Sequence, residues 1–196
     1  MNVTVYCASS SLVSDKYFEA TRVLGNLLVD MDARVIFGGG GNGLMGCLAD
    51  TVLARGGKIR GIIPGFMKEI EWAHPKVVDM QVVETMAERK HLLLEEADVI
   101  VSLPGGTGTL EELFEALTLK RLGRYLKPII IINTGGYYDE LRTLLEKAID
   151  EKFMTHEHKD MYRFIDNPKE LPTTLKVFPE WKESAIDFAT LRREYL

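Results

Sequence analysis

Val99-Ile100-Val101-Ser102-Leu103-Pro104-Gly105-Gly106-Thr107-Gly108-Thr109-Leu110-Glu111-Glu112-Leu113 carries a strand, a sharp turn and the start of a helix in one short run. Val99–Leu103 is almost continuously apolar instead of alternating, which suits a parallel strand covered on both faces. Pro104 to Gly108 interrupts it, and a helical pattern follows over 109–122. The same order recurs on either side. Val3–Cys7, Arg34–Gly38, Ile59–Ile63, Val77–Val83 and Ile129–Asn133 read as strands, with helical patterns over 15–31, 44–56, 86–97 and 137–152. Parallel strands need crossover connections, so this alternation predicts an α/β fold with a doubly wound parallel sheet and helices on both faces. No repeat or linker divides the chain, and 1–196 reads as a single domain. Its last segment, about 177–196, mixes Pro, Trp and charge, and reads as a peripheral helix or tail.

Composition narrows the class. The 196 residues hold 24 Lys+Arg against 29 Asp+Glu, a formal net charge of −5, with 46% hydrophobic and 27% charged residues. Those are the proportions of an ordinary globular protein, not of a disordered or fibrous one. The acidic balance argues against nucleic acid as a bulk partner. No apolar run approaches the ~20 residues that span a bilayer. The N-terminus lacks the features of a signal peptide, so a cytoplasmic location is expected. Cys7 and Cys47 stand alone, without a CxxC spacing or disulfide framework.

In a doubly wound sheet, ligands bind beyond the carboxyl ends of the strands. Three loops at that edge are unusual: Ala8-Ser9-Ser10-Ser11, Gly38-Gly39-Gly40-Gly41-Asn42-Gly43-Leu44-Met45-Gly46, and Pro104 to Thr109. Glycines admit a ligand close to the backbone, and a following helix N-terminus presents N–H groups to a phosphate. A phosphorylated or nucleotide-like ligand is the functional reading; tight strand-to-helix turns are the structural one. The GxGxxG spacing in the second loop is not a dinucleotide fingerprint, because Ile59–Ile63 ends in Pro64-Gly65 where an acidic residue would hold a ribose. There is no Walker A lysine and no GxSxG elbow. His156-Glu157-His158 lacks the HExxH spacing and reads as solvated surface, and no metal site is expected.

Two charged pairs stand out. Thr85-Met86-Ala87-Glu88 has the form of a capping box. On the helix it opens, Met86, Leu93 and Ala97 make an apolar stripe, and Arg89 and Lys90 fall roughly 60° and 40° to either side of it. Charges bordering a buried face must be paired or face a polar site. Either they snorkel or pair with Glu95 or Glu96, or Arg89 reaches into the crevice toward a phosphate or leaving group. Thr109-Leu110-Glu111-Glu112 repeats the problem. Thr109 reads as a cap with Glu112 at the capping-box position, yet the turn aims this helix end at the crevice, where a carboxylate also does chemistry.

Pro104-Gly105-Gly106-Thr107-Gly108-Thr109-Leu110-Glu111-Glu112 resembles the PGGxGTxxE motif of the LONELY GUY (LOG) family of cytokinin riboside 5′-monophosphate phosphoribohydrolases, long labelled lysine decarboxylases. The resemblance extends to Cys7-Ala8-Ser9-Ser10-Ser11, the GGGGNGLMG loop, Glu71-Trp72-Ala73-His74, Met86-Ala87-Glu88-Arg89-Lys90 and Thr118. It implies a Rossmann-like homodimer, with residues shared across the interface, that splits the N-glycosidic bond of a nucleoside 5′-monophosphate without a cofactor. Carried onto this chain, the catalytic pair is Arg89 and Glu112. Gly105, Gly106, Thr107, Gly108 and Thr109 cradle the phosphate, and Glu71, Lys90, Glu111, Thr118, Gly39, Gly40 and Ser9 are further substrate positions. Thr118-Leu119-Lys120-Arg121 stands where plant-like members have Thr-Trp-Ala-Gln, at positions that would shape the base pocket, so AMP or another purine nucleotide is an expected substrate beside prenylated adenine nucleotides. The decarboxylase label is rejected because nothing marks a Schiff-base lysine. A carrier of the molybdenum cofactor on the same fold is the alternative, and a DNA-processing module is disfavoured by the charge.

Overall fold

A computed structural model describes residues 1–68 and 73–189. Seven strands form one sheet: β1 (Asn2–Tyr6), β2 (Arg34–Phe37), β3 (Lys58–Pro64), β4 (Asp79–Val83), β5 (Val99–Ser102), β6 (Ile129–Ile132) and β7 (Arg163–Ile165). Their order is β4-β3-β2-β1-β5-β6-β7. Every neighbouring pair is parallel. The helices are α1 (Asp15–Asp30), α2 (Gly43–Ala54), α3 (Met86–Glu95), α4 (Thr107–Arg121), α5 (Asp139–Asp150) and α6 (Leu171–Lys176). The expected doubly wound α/β sheet is present.

Strand periodicity divides the core into two layers, because successive side chains point to opposite faces. Val3, Val5, Val35, Phe37, Val99 and Val101 pack on one side with Leu24 and Leu28 of α1 and Leu48 and Val52 of α2. Tyr6, Ile36, Ile62, Ile100 and Ile131 pack on the other with Leu93 of α3 and Leu113 and Leu117 of α4. Both faces are therefore apolar, which explains the near-continuous Val/Ile runs. Thr4, fully buried in β1, is satisfied by donating its hydroxyl to the Leu93 carbonyl at 2.7 Å.

The structure departs from the sequence reading at several places. β4 begins at Asp79, and Val78 points into solvent ahead of it. β7 is an added edge strand, set by the pairing of Ile130 with Arg163 and Ile132 with Ile165; three residues are too few to show a period. The described part of the C-terminal segment holds a 3-10 helix (Glu183–Phe188), and Trp181 and Ala185 are buried in the core instead of lying outside it; residues 190–196 lie outside the described residues.

His158 is not solvated surface but fully buried. Its Nδ1 accepts the Thr155 N–H at 2.8 Å, and its ring sits beside those of Trp181 and Phe188. Trp181 in turn donates its indole N–H to the Lys120 carbonyl at 2.7 Å. The Lys120 ammonium is buried beneath Phe178 and donates to the carbonyls of Leu126 and Lys127. Burial brings its pKa down to about 7. This is the value expected of a reactive lysine, yet Lys120 lies near the far end of α4, about 20 Å of helix from Thr107, and serves packing there.

Burial, followed by repulsion from Arg121, holds the His158 imidazole down at about 4. Between its ordinary value near 6.5 and 4, the unfolded chain binds a proton that the folded chain refuses, so stability is lost as pH falls through that window. Thermal unfolding followed by circular dichroism from pH 7 to pH 4 is expected to show this fall. His158→Gln should start from a lower melting temperature at pH 7 and descend less steeply; parallel curves would remove His158 as a source of the acid sensitivity.

Candidate active site

The strand order runs one way from β1 to β4 and the other way from β5 to β7, so the sheet has its switch point between β1 and β5. Connections leave in opposite directions there and open a crevice at the carboxyl edge. A cavity of ≈ 270 Å³ occupies it, bounded by the end of β1 and the loop after it, the first turn of α4, and side chains from α3.

The two glycine-rich loops differ in what their helices do. The α2 N-terminus is consumed inside the protein: Leu44 and Met45 donate their N–H groups to the Ala8 carbonyl at 2.9 and 3.2 Å, and Gly43 donates to the Ser11 hydroxyl at 3.2 Å. The α4 N-terminus faces the cavity. Gly106 is its N-cap and offers no side-chain acceptor. Thr107, Gly108 and Thr109 form its first turn, whose N–H groups have no intrahelical acceptor, and all three line the cavity. The positive end of the helix macrodipole therefore opens onto ligand space.

This start also corrects the capping assignment. α4 begins at Thr107, two residues before the expected Thr109. Thr109 is then inside the first turn, folded against Gly105, where any Cβ would collide with its hydroxyl. Glu112 lies in the second turn and completes no capping box, so helix capping does not account for a carboxylate at this position.

Arg89 enters from α3. The capping box at Thr85 is present as expected, with the Glu88 N–H donating to the Thr85 hydroxyl at 3.1 Å and the Thr85 N–H donating back to the Glu88 carboxylate. One turn on, Arg89 points inward and is only 4% exposed, which overturns the snorkelling alternative. Its Nη1 approaches the Met67 sulfur at 3.3 Å, and Nη2 lies 3.7 Å from Glu112 Oε1. Gly38 makes room for it, since a Cβ at that position would clash with Nη2. The Glu112 side chain is 11% exposed. Burying either charge alone would be costly, and the pair offsets part of that cost while leaving both groups turned toward the cavity. Tyr6 forms part of the wall; burial first, then the Glu112 charge, pushes its phenol well above the ordinary value.

Of the residues singled out from sequence, Ser9, Arg89, Gly106, Thr107, Gly108, Thr109 and Glu112 share this cavity. The other described candidates do not line it. Gly39 packs against Met80 and Ile63 with φ +82°, and Gly40 bridges to Ala73. Gly105 sits behind the loop, accepting the Tyr137 hydroxyl at 2.6 Å. Lys90 pairs with Glu111 and Glu115 outside the cavity instead of with Glu95 or Glu96, and the hydrogen bond to Glu111 raises its pKa. Thr118 is exposed on α4, and neither it nor Leu119, Lys120 or Arg121 lines the cavity. Glu71, with Trp72, lies outside the described residues. Sequence reasoning did not single out Gly38, Met45, Met67 and Tyr6 as wall residues; the GGGGNGLMG loop carried the first two, and nothing local marked the others.

Fold and site together define a Rossmann-like α/β protein with a crevice onto which a helix N-terminus opens. The family model described as "Possible lysine decarboxylase" matches residues 45–175. The chain is 37% identical over 182 residues to the cytokinin riboside 5′-monophosphate phosphoribohydrolase LOG7 of Arabidopsis thaliana, covering 92% of this chain and 84% of that protein. It is 38% identical over 155 residues to the enzyme of the same name from Rhodococcoides fascians, covering 79% and 78%. The chain belongs to the LONELY GUY (LOG) family. Among solved structures, the molybdenum cofactor carrier protein of Chlamydomonas reinhardtii superposes with a TM-score of 0.67 at 17% identity, covering 89% of this chain and 95% of that one. The molybdenum cofactor binding protein of Rippkaea orientalis gives 0.68 at 19%, covering 89% and 94%. At those identities the likeness is one of fold.

Gly38→Ala tests whether Arg89 is held by the space above the second loop. The added methyl displaces the guanidinium without straining the backbone. Affinity for ribose 5-phosphate, measured by calorimetry, is expected to fall about tenfold or more while the far-ultraviolet spectrum is unchanged. Unaltered affinity would show that Arg89 does not need this seat.

Proposed function

We propose that this protein hydrolyses the N-glycosidic bond of a purine nucleoside 5′-monophosphate, releasing the free base and ribose 5-phosphate. The observation that carries the reading is one cavity holding an open helix N-terminus, a buried arginine and a partly buried carboxylate. The relatives' names supply the substrate class, a cytokinin riboside 5′-monophosphate; AMP is a further substrate.

The phosphate sits on the N–H groups of Thr107, Gly108 and Thr109, where the helix end favours an anion. The ribose then spans toward Arg89 and Glu112. Breaking the C1′–N bond leaves positive charge on the sugar, and the Glu112 carboxylate stabilises that charge and orients the water whose oxygen bonds to C1′. The bonding electrons depart with the base; the attacking water gives up a proton to Glu112 as its oxygen bonds to C1′, the base takes one up, and Arg89 offsets the anionic charge of phosphate or leaving group. The net charge of −5 makes attraction a local matter: Lys90 is already shared between Glu111 and Glu115.

Lys90, Glu111 and Thr118 lie outside the cavity of their own chain, so a role for them in binding requires a second copy. A homodimer presenting the exposed face of α4, where Phe114 stands in solvent, meets that requirement. A cytoplasmic location agrees with the use of a nucleotide. A cofactor carrier has no use for a carboxylate opposite the arginine, which favours the hydrolase.

Chromatography of AMP and isopentenyladenosine monophosphate reactions should show free base from at least one of them. Glu112→Gln is expected to lower turnover by about 10²–10⁴ with an unchanged far-ultraviolet spectrum and a lower melting temperature, because the variant removes the negative charge that offsets part of the cost of burying Arg89. Adenosine should be cleaved about tenfold or more slowly than AMP. No release of base, together with tight binding of a pterin cofactor, would favour the carrier reading instead. Light scattering should report a dimer; a monomer with full activity would remove the shared-site role.

A further inference from the structure

The loop between β5 and α4 is held from behind by two adjacent tyrosines. Asn133, at the end of β6, is buried. It accepts the Tyr138 N–H at 2.6 Å and donates to the Asp139 carboxylate at 2.8 Å, which fixes the start of α5 over the loop. From there the Tyr138 hydroxyl donates to the Leu103 carbonyl at 2.8 Å and the Tyr137 hydroxyl to the Gly105 carbonyl at 2.6 Å. The Tyr137 ring is wedged edge-to-face between Tyr17 and Tyr138, at centroid distances of 5.8 and 4.9 Å. Neither tyrosine lines the cavity.

The two tethers have different consequences. In a planar trans peptide the carbonyl and the following N–H point in opposite directions. Leu103 is followed by Pro104, which has no N–H, so the Tyr138 bond only anchors the chain. Gly105 is followed by Gly106, which lines the cavity. We propose that Tyr137 is a positioning residue for anion recognition: by holding the Gly105 carbonyl from outside the cavity, it turns the Gly106 N–H inward and adds one donor to those of the α4 first turn. Glycines on both sides of this peptide leave it free to rotate otherwise. The inference rests on the phosphate-cradle reading of the site and names the residue that presets it.

Tyr137→Phe keeps both ring contacts and removes only the tether. Its affinity for ribose 5-phosphate, by calorimetry, is expected to fall about tenfold, with the melting temperature within about two degrees of the parent. In AMP hydrolysis KM should rise while kcat changes little. Tyr138→Phe should lower the melting temperature and leave ribose 5-phosphate affinity near that of the parent. Unchanged affinity in Tyr137→Phe would overturn the proposal, as would equal weakening in both variants, which means general loosening of the loop. A parent protein that binds ribose 5-phosphate but releases base from neither AMP nor isopentenyladenosine monophosphate would defeat the hydrolase reading alone, since calorimetry reads the cradle without turnover. A parent without affinity for ribose 5-phosphate would defeat the cradle and the proposal together.

Discussion

A guanidinium and a carboxylate, each nearly excluded from water and 3.7 Å apart, impose the main constraint on this molecule. Two such charges are tolerated in a protein interior only if they meet each other or a ligand. They come from different helices, so α3 and α4 must dock on the same face of the sheet, as the second core layer makes them do. Gly38 must lack a side chain for the Arg89 guanidinium to sit where it does, just past the end of β2. The reversal of strand order between β1 and β5 provides the opening into which both groups face. Sheet topology, helix start and glycine placement converge on one small volume.

The two glycine-rich loops show how a shared appearance divides into two uses. Both follow a strand and precede a helix, and both read from sequence as phosphate cradles. The first turn of α2 donates to Ala8 and Ser11, so it ties the loop after β1 to the loop after β2. Among the described residues the first turn of α4 meets no such carbonyl, and it faces the cavity instead. A sequence marks where N–H groups become available, but not which neighbour arrives to accept them.

Where the sequence reading and the structure part, the cause is long-range for β7 and His158 and local for Thr109. Three residues of β7 become a strand because β6 presents an edge to them. His158 is buried because Trp181 and Phe188, from the chain's last segment, pack over it. Thr109 looks like a cap because it is the last hydroxyl before the apolar pattern, yet α4 starts at Thr107 and the Thr109 side chain turns back over Gly105. The capping box at Thr85 was legible because its donors and acceptors are local.

By itself the amino-acid sequence determined the α/β alternation, the two-sided burial of the strands and the loops at the carboxyl edge; it paired Arg89 with Glu112 only through the resemblance to the LOG motif, since a cap at Thr109 accounted for Glu112 locally. Periodicity and short-range capping carry that information, since both act within a few residues. Only the tertiary structure decided which helix N-terminus stays open, that Gly39, Gly40, Lys90 and Thr118 stand away from the cavity of their own chain, and that Tyr137 reaches the Gly105 carbonyl. Those outcomes depend on which groups meet across the sheet's edge, and hydrogen-bond direction between distant residues leaves no trace in spacing.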